Sequence, residues 1–502
     1  MKNLATGFRL LEVKFLEHPY LNNLNLKFYD DVDLDSEFPY KTVIIGPNGI
    51  GKSNILSNII KIFRELSYIK INGKRTVFVD GKFQIKYLIN SVTYFYSNYD
   101  ENNQNKFELV FKINDTIVKH DDIILPQRLI ANSISITDKY PYIKDQNYFP
   151  IYKYLGIRTS TLSAGTRSYT NRTVEYIIDS LQEKEFSVQL KEMLIFLGLK
   201  EKLEIIYFPR YRHHFFTSDL NETKFRGFFE NYKKYAPNRK TQPWGTPRYD
   251  KIKKDYKLIE QLISFINDLS TKLIPYKDSK NSKCIVYDIL NDKSLVSKHN
   301  LLNELYKLDI ISFPEINLEK DNHKYSLIEG SSGEYHFVSS IIGILASVTN
   351  HSIVLIDEPE ISLHPDWQMK YINFLDKCFK KFNQSHFIIA THSHFLISDL
   401  EDKTSTIIGL RREGSIKSEA IEHNTFGWSA EEVLYGIFNV ASTRNKYLAQ
   451  DISEILKTLS KSEYDVTSVK EKIKKVLEFK LELKDIDPLK KILQTLENKF
   501  LK

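Results

Sequence analysis

An α/β fold built on a parallel sheet, with a phosphate-binding loop at one end of the sheet, is predicted by three observations. Residues 46–53 read Gly46-Pro47-Asn48-Gly49-Ile50-Gly51-Lys52-Ser53, a complete GxxxxGK[ST] loop. A strand-like run at 41–45 enters the loop, and an apolar-periodic segment leaves it. Further on, two short apolar runs at 353–356 and 387–390 bracket a helical stretch, as parallel strands joined by a crossover helix do.

Taken in order, the first 120 residues read as β-rich. Runs of β-branched and aromatic residues at 8–15, 24–28, 41–45, 75–79, 83–89, 93–96 and 107–113 are broken by Asn, Asp and Gly. Ile55, Leu56, Ile59, Ile60 and Phe63 recur at helical spacing, so a helix leaves the loop and runs to about residue 66. A strand is expected at 128–136 and helices at 172–200, 256–269 and 299–308. Between 200 and 256, Pro237, Pro243, Gly245 and Pro247 predict irregular chain. After Gly333 a helix is expected through 341–346. The strand 353–356, a helix over 365–382, the strand 387–390 and one more strand at 404–410 follow. The last 70 residues, rich in Lys, Glu and Leu, read as helical.

With 502 residues the chain can hold two or three domain-sized units. No stretch approaches about 18 consecutive apolar residues, which argues against a membrane span. No signal-peptide pattern opens the sequence. Two cysteines, Cys284 and Cys378, support neither a disulfide framework nor a Cys-rich zinc site. A cytoplasmic protein with no membrane partner is expected. The net charge of +7 is uneven: residues 224–257 hold eleven Lys or Arg against three acids, and the rest is near neutral.

Glycines in a loop of this kind let backbone N–H groups point at phosphate oxygens, with a helix N-terminus behind them. Gly46, Pro47, Asn48, Gly49 and Gly51 shape the cradle. Lys52 is placed to reach β- and γ-phosphates, and Ser53 to ligate magnesium. The apolar run at 353–356 should be a buried strand, and it ends in Asp357-Glu358. Asp357 is the candidate magnesium ligand there. Glu358 is the candidate to orient or deprotonate an attacking water.

The order of these strings now becomes specific. The loop is followed by Gly330-Ser331-Ser332-Gly333-Glu334, then Ile356-Asp357-Glu358-Pro359, then Ala390-Thr391-His392-Ser393. That order resembles ABC-type ATPases. The wording Asp357-Glu358-Pro359-Glu360-Ile361-Ser362-Leu363-His364-Pro365 is similar to the soluble branch near OLD, RecF and SMC-type proteins. Transporter ATPases more often end this stretch in Ser-Ala-Leu-Asp. The resemblance covers roughly residues 8–120 and 325–410.

It implies an ABC-type P-loop ATPase head with a β-rich lobe I and a long, mainly helical insertion forming lobe II. Its ligands would be ATP and Mg2+. Ser331 and Gly333 would cap the γ-phosphate of ATP held by the opposite subunit of a head-to-tail homodimer or higher oligomer. A hydroxyl and N–H groups at a helix start suit an anion. Ser332 and Glu334 stand where Gly and Gln are usual, a departure from the family signature. His392, 34 residues after Glu358, takes the place of the switch histidine that hydrogen-bonds the γ-phosphate. The family's glutamine has no good counterpart, because Gln127 precedes the 128–136 strand whereas that residue usually follows it.

On this reading residues 1–135 form lobe I, and 136–325 the inserted lobe with its basic segment 224–257. Residues 326–425 carry the signature, the Asp-Glu strand (Walker B) and the switch histidine, and 426–502 a C-terminal helical region. In the basic segment Phe225, Phe228, Phe229, Tyr232, Tyr235, Trp244 and Tyr249 interleave with Lys and Arg. Either cations meet phosphates while aromatics stack on bases, or the segment is a solvated basic face that meets a protein. Trp428, Val433, Leu434, Ile437 and Phe438 either pack on the chain's own core or dock a partner.

Chains of this resemblance are frequent in bacterial anti-phage defence. The Septu ATPase, which works with an HNH nuclease partner, matches in size and layout. No carboxylate cluster is left over for a Toprim nuclease and no His-Asn-His pattern occurs, so nuclease activity is expected in a separate subunit. The expected function is therefore ATP hydrolysis by a head-to-tail dimer that regulates such an effector. A DNA repair or chromosome-maintenance clamp and a nucleotide sensor holding a toxin inactive remain open. The long gap from P-loop to signature disfavours a transporter ATPase.

Overall fold

The structure is a computed structural model. It describes residues 7–29, 37–100, 108–143, 147–158, 165–217, 219–235, 245–276, 279–397, 400, 404–421, 446–459, 465–481 and 488–500. The chain divides into two units. The first comprises residues 1–133, 137–154 and 349–502; the second, 134–136 and 155–348.

In the first unit Tyr40–Ile45, Ser352–Asp357 and His386–Thr391 are buried at every position. A strand covered on both faces requires such a continuous apolar run. The three lie in one seven-stranded sheet, ordered Ser415–Ala420, Ser405–Glu413, Tyr40–Ile45, His386–Thr391, Ser352–Asp357, Arg128–Ser133 and Tyr152–Tyr154. All neighbours are parallel except the first pair. The register sets Asp357 beside Ala390 and Ser133, and Thr391 beside Ile45. The loop, the carboxylates and the histidine thus emerge along one edge, where parallel sheets hold their ligands.

The helix Lys52–Asn72 follows the loop and buries Ile55, Leu56, Ile59, Ile60, Phe63 and Leu66. It runs a turn and a half beyond the expected end and stops at Gly73, which is left-handed with φ 64. A six-stranded antiparallel sheet, Leu24–Lys27, Phe8–Leu16, Lys82–Ile89, Val92–Ser97, Val110–Ile113 and Thr116–Ile117, shares the same core through Phe8, Leu10, Val13, Phe83, Ile85 and Tyr87. The strand expected at 75–79 does not form. The fully buried Glu65 carboxylate takes Arg75 Nε at 2.7 Å, the Phe78 N–H at 3.1 Å and the Tyr96 hydroxyl at 2.8 Å. A side chain, not a neighbouring strand, satisfies that backbone donor.

Lys446–Leu459, Val466–Leu477 and Pro488–Phe500 are helical as expected. They share a small core of Leu448, Ile452, Ile455, Val469, Ile473, Val476, Leu493 and Leu496. Residues Trp428 to Phe438 lie outside the described residues.

The second unit is mainly helical, but it also holds a five-stranded antiparallel sheet. Its order is Ile274–Tyr276, Ser279–Asp288, Glu204–Tyr207, Glu315–Lys320 and His323–Ser326. The helix expected over 172–200 is two helices, Thr166–Ser180 and Lys184–Phe196. The stretch between 200 and 256, expected irregular, carries one of these strands and the helices Glu222–Tyr235 and Thr246–Ile252. Phe225, Phe229 and Tyr249 are 0% exposed. The Phe229 and Tyr249 rings stack with centroids 4.6 Å apart.

These aromatics are core, and the stacking role considered for them is corrected accordingly. Tyr232, Tyr235 and Trp244 have side chains outside the described residues. Several of the segment's cations are paired within the unit: Arg226 with Glu222, Arg248 with Glu304 and Lys253 with Asp250. The signature helix, Ser332–Leu345, belongs to this unit.

Candidate active site

The loop takes its shape from its glycines. Gly51 caps the helix with φ 108, a conformation that costs an L side chain strain. A Cβ on Gly46 would lie 2.8 Å from the Leu410 carbonyl oxygen, so the chain passes too close for any larger residue. Pro47, Asn48 and Gly49 form the exposed rim, with the Ile50 N–H turned inward to the Pro47 carbonyl at 3.4 Å.

Lys52 is 3% exposed. Its ammonium donates to the carbonyls of Gly46 at 2.7 Å and Pro47 at 3.1 Å, and to His392 Nδ1 at 2.7 Å. Burial pushes its pKa down to about 8, against the opposing pull of Glu358, Glu360 and Asp357. An ammonium has no acceptor, so His392 Nδ1 must accept and Nε2 must carry the proton. That proton faces Glu358 Oε1 at 2.6 Å. Lys52, His392 and Glu358, drawn from three distant stretches of sequence, thus form one hydrogen-bonded chain. The contact with Glu358 draws the His392 pKa up and holds that of Glu358 down.

Glu358 sits in the left-handed region at φ 51, with its N–H on the Ala390 carbonyl at 2.8 Å. Such a conformation in a non-glycine residue costs energy and clusters at functional sites. The bend turns its carboxylate toward the histidine. Asp357, 3% exposed, accepts the Ser53 hydroxyl at 3.1 Å. Burial pushes its carboxyl up to about 7, opposed by the Ser53 hydrogen bond. Ser53 and Asp357 supply two hard oxygens side by side. Mg2+ bound through one or two protein oxygens, with phosphates and waters completing its octahedron, fits that donor set. Among the described residues no group of three or more His, Cys, Asp or Glu forms a self-sufficient metal cage.

Two carboxylates at the site escaped the sequence reading. Glu360 Oε1 accepts the backbone N–H of His392 at 2.7 Å, and Oε2 is buried with no hydrogen-bond partner among the described residues. Asp138, just past the Arg128–Ser133 strand, accepts the Tyr140 N–H at 2.9 Å and the Tyr154 hydroxyl at 2.7 Å. Its charge adds to the rise at Asp357. A carboxylate following a strand parallel to that of Asp357 was the available signal. Gln127, the residue weighed against the family's glutamine, is excluded by topology. Its N–H meets the His351 carbonyl at 3.1 Å, at the opposite end of the strand from Asp357.

In the second unit Ser331 is the exposed N-cap of the signature helix, and its hydroxyl accepts the Glu334 N–H at 3.1 Å. Gly333 is buried in the first turn. Glu334, where the family has Gln, accepts the Tyr325 hydroxyl at 2.5 Å.

A P-loop strand beside the switch-histidine strand, with the Asp-Glu strand next to it and a β-rich sheet on the same core, is the architecture of an ABC-type ATPase head. The particular likeness is to Septu-type ATPases. Residues 210–398 match the family described as "AAA domain, putative AbiEii toxin, Type IV TA system". The chain is 26% identical over 110 residues to Septu protein PtuA of Bacillus thuringiensis, covering 21% of this chain and 27% of that protein. It is 33% identical over 150 residues to the "Retron Ec83 probable ATPase" of Escherichia coli, covering 27% and 26%. The matches thus span about a quarter of each relative's length. Among solved structures, the Smc head domain of Pyrococcus furiosus with an extended coiled coil, bound to the ScpA C-terminal domain, aligns with 14% identity and a TM-score of 0.33. That alignment covers 82% of this chain and 96% of that one. No described helix is long and apolar enough to cross a membrane.

Proposed function

We propose that this chain binds and hydrolyses ATP with Mg2+ as a head-to-tail dimer, and that the ATP-bound state regulates a separate HNH-type nuclease effector in anti-phage defence. The observation that carries the ATPase reading is the chain from Lys52 through His392 to Glu358, with Ser53 on Asp357 beside it. Those are the groups that an in-line attack of water on a γ-phosphate needs: a cation, a hydrogen-bond donor, a base and a metal ligand pair.

Each residue then has a defined task. Lys52 exchanges two loop carbonyls and a histidine nitrogen for phosphate oxygens. His392 turns its freed Nδ1 edge from Lys52 and presents a donor to the γ-phosphate. Glu358, released from His392, accepts a proton from the attacking water or orients it. Ser53 and Asp357 would hold Mg2+, which neutralises charge developing on the phosphates. Ser331 and Gly333 would complete the site of the opposite subunit. The effector reading leans on the likeness to Septu protein PtuA.

Measuring the mass of Glu358→Gln protein with and without Mg-ATP tests the dimer. The amide cannot take a proton from water, so ATP should stay bound and the mass should double on adding it. A mass that does not respond to ATP, in protein shown to bind ATP, would overturn the composite site. Co-expression with the product of the neighbouring reading frame tests the effector, which should co-purify.

A further inference from the structure

Glu360 lies two residues beyond Glu358, past the end of the buried strand, and its carboxylate is aimed back at the neighbouring strand. Oε1 takes the His392 N–H at 2.7 Å. The Glu358 N–H meets the Ala390 carbonyl at 2.8 Å on the same pair of strand ends. The turn that follows is closed by Ile361 N–H on the Glu358 carbonyl and Leu363 N–H on the Glu360 carbonyl, at 3.2 and 3.0 Å. Glu360 is thereby held through its own carbonyl and the N–H of the next residue, and its side chain is the one link from this turn to the backbone of the histidine among the described residues.

Its second oxygen is what separates it from a structural cap. Oε2 is buried without a partner among the described residues, and a half-satisfied buried carboxylate is costly to keep. A backbone clamp acts on the loop's geometry, and the histidine ring it sets lies 2.7 Å from Lys52 and 2.6 Å from Glu358. A small displacement of that ring is felt at both.

We propose that Glu360 is a positioning residue: it clamps the His392 backbone so that the imidazole meets the γ-phosphate and Glu358 in register. The proposal rests on the ATPase reading above for its catalytic consequence, though not for the clamp itself.

Four proteins test it: Glu360→Ala, Glu360→Gln, His392→Ala and the Glu360→Ala/His392→Ala double variant. With the clamp removed, Glu360→Ala should lower kcat about ten-fold or more, while its Kd for ATP moves by less than about three-fold. Glu360→Gln keeps an acceptor oxygen for the N–H and should restore most of kcat. The double variant should be no slower than His392→Ala alone, because the effect passes through His392. A structural role would instead make the losses multiply, and an unchanged kcat in Glu360→Ala would also overturn the proposal.

Amide hydrogen exchange provides an arm that does not need turnover. The peptide containing residues 391–393 should exchange faster in Glu360→Ala than in wild type or Glu360→Gln. Equal exchange in all three overturns the clamp. Should wild type release no phosphate while exchange shows the expected order, the ATPase reading falls and the clamp stands.

Discussion

Lys52→Ala removes the one charged side chain of residues 46–53. Its ammonium lies 2.7 and 3.1 Å from two carbonyls of its own loop, at the point where the loop's backbone converges. A phosphate entering the loop meets that charge directly. A hydrogen bond to a charged group contributes about 1.5–3 kcal/mol, so losing one such contact weakens ATP binding about ten- to hundredfold. Calorimetric titration with Mg-ATP, and in parallel with AMP, measures this. AMP lacks β- and γ-phosphates and should lose much less than ATP. The melting temperature of the variant reports any harm to the loop itself. Unchanged ATP affinity, or an equal loss for ATP and AMP in a well-folded variant, would refute the assignment of Lys52 to the β/γ-phosphates.

Other outcomes follow from the same geometry. Lys52→Ala and Ser331→Arg should each be inactive alone, yet a mixture should recover turnover, because one hybrid site keeps both an intact P-loop and an intact signature; a mixture as dead as its parts would contradict the composite site. His386 is fully buried, with Nδ1 on the Leu10 N–H at 3.0 Å and Nε2 on Thr42 Oγ1 at 2.8 Å. Burial, with Arg9 nearby, holds its folded pKa well below the ordinary value of 6.5. The unfolded chain therefore takes up a proton that the folded chain refuses. Its contribution is present above about pH 6.5 and is lost as pH falls below that, at up to about 1.4 kcal/mol per pH unit. Denaturant midpoints from pH 7.5 to 5 should show that slope, and His386→Gln should flatten it; an equal slope in the variant would remove His386 as the cause.

The candidate site was legible in the sequence because its strings are local. A GxxxxGK[ST] string, a buried apolar run ending in Asp-Glu and a second run ending before His392 each declare themselves within a dozen residues. What was missed depended on contacts between distant segments. Glu360 stood in plain view beside Glu358, but its hydrogen bond to His392 spans 32 residues of chain. Asp138 acquires meaning only once the Arg128–Ser133 strand is seen beside that of Asp357.

In the second unit the strand Glu204–Tyr207 is four residues long, too short for a period to show. Ser279–Asp288 opens with the polar stretch Ser-Lys-Asn-Ser-Lys, which disguises its apolar half. Phe225, Phe228 and Phe229 looked like an interleaved aromatic-basic surface. They are the inward stripe of an amphipathic helix, recurring three and four residues apart and closing on Phe215 and Tyr249. Position on a helix, not proximity in sequence, separated the rings from the charges.

The most direct test of the site is phosphate release from Mg-ATP by three proteins side by side: wild type, Glu358→Gln and Lys52→Ala. A site assembled from Lys52, Ser53, Asp357, Glu358 and His392 predicts steady release by wild type. It predicts bound ATP with at least a ten-fold slower release by Glu358→Gln, and ATP binding weakened about ten- to hundredfold with no detectable release by Lys52→Ala. No release by wild type, in dimer or with its effector, or release by Glu358→Gln at the wild-type rate, would contradict it.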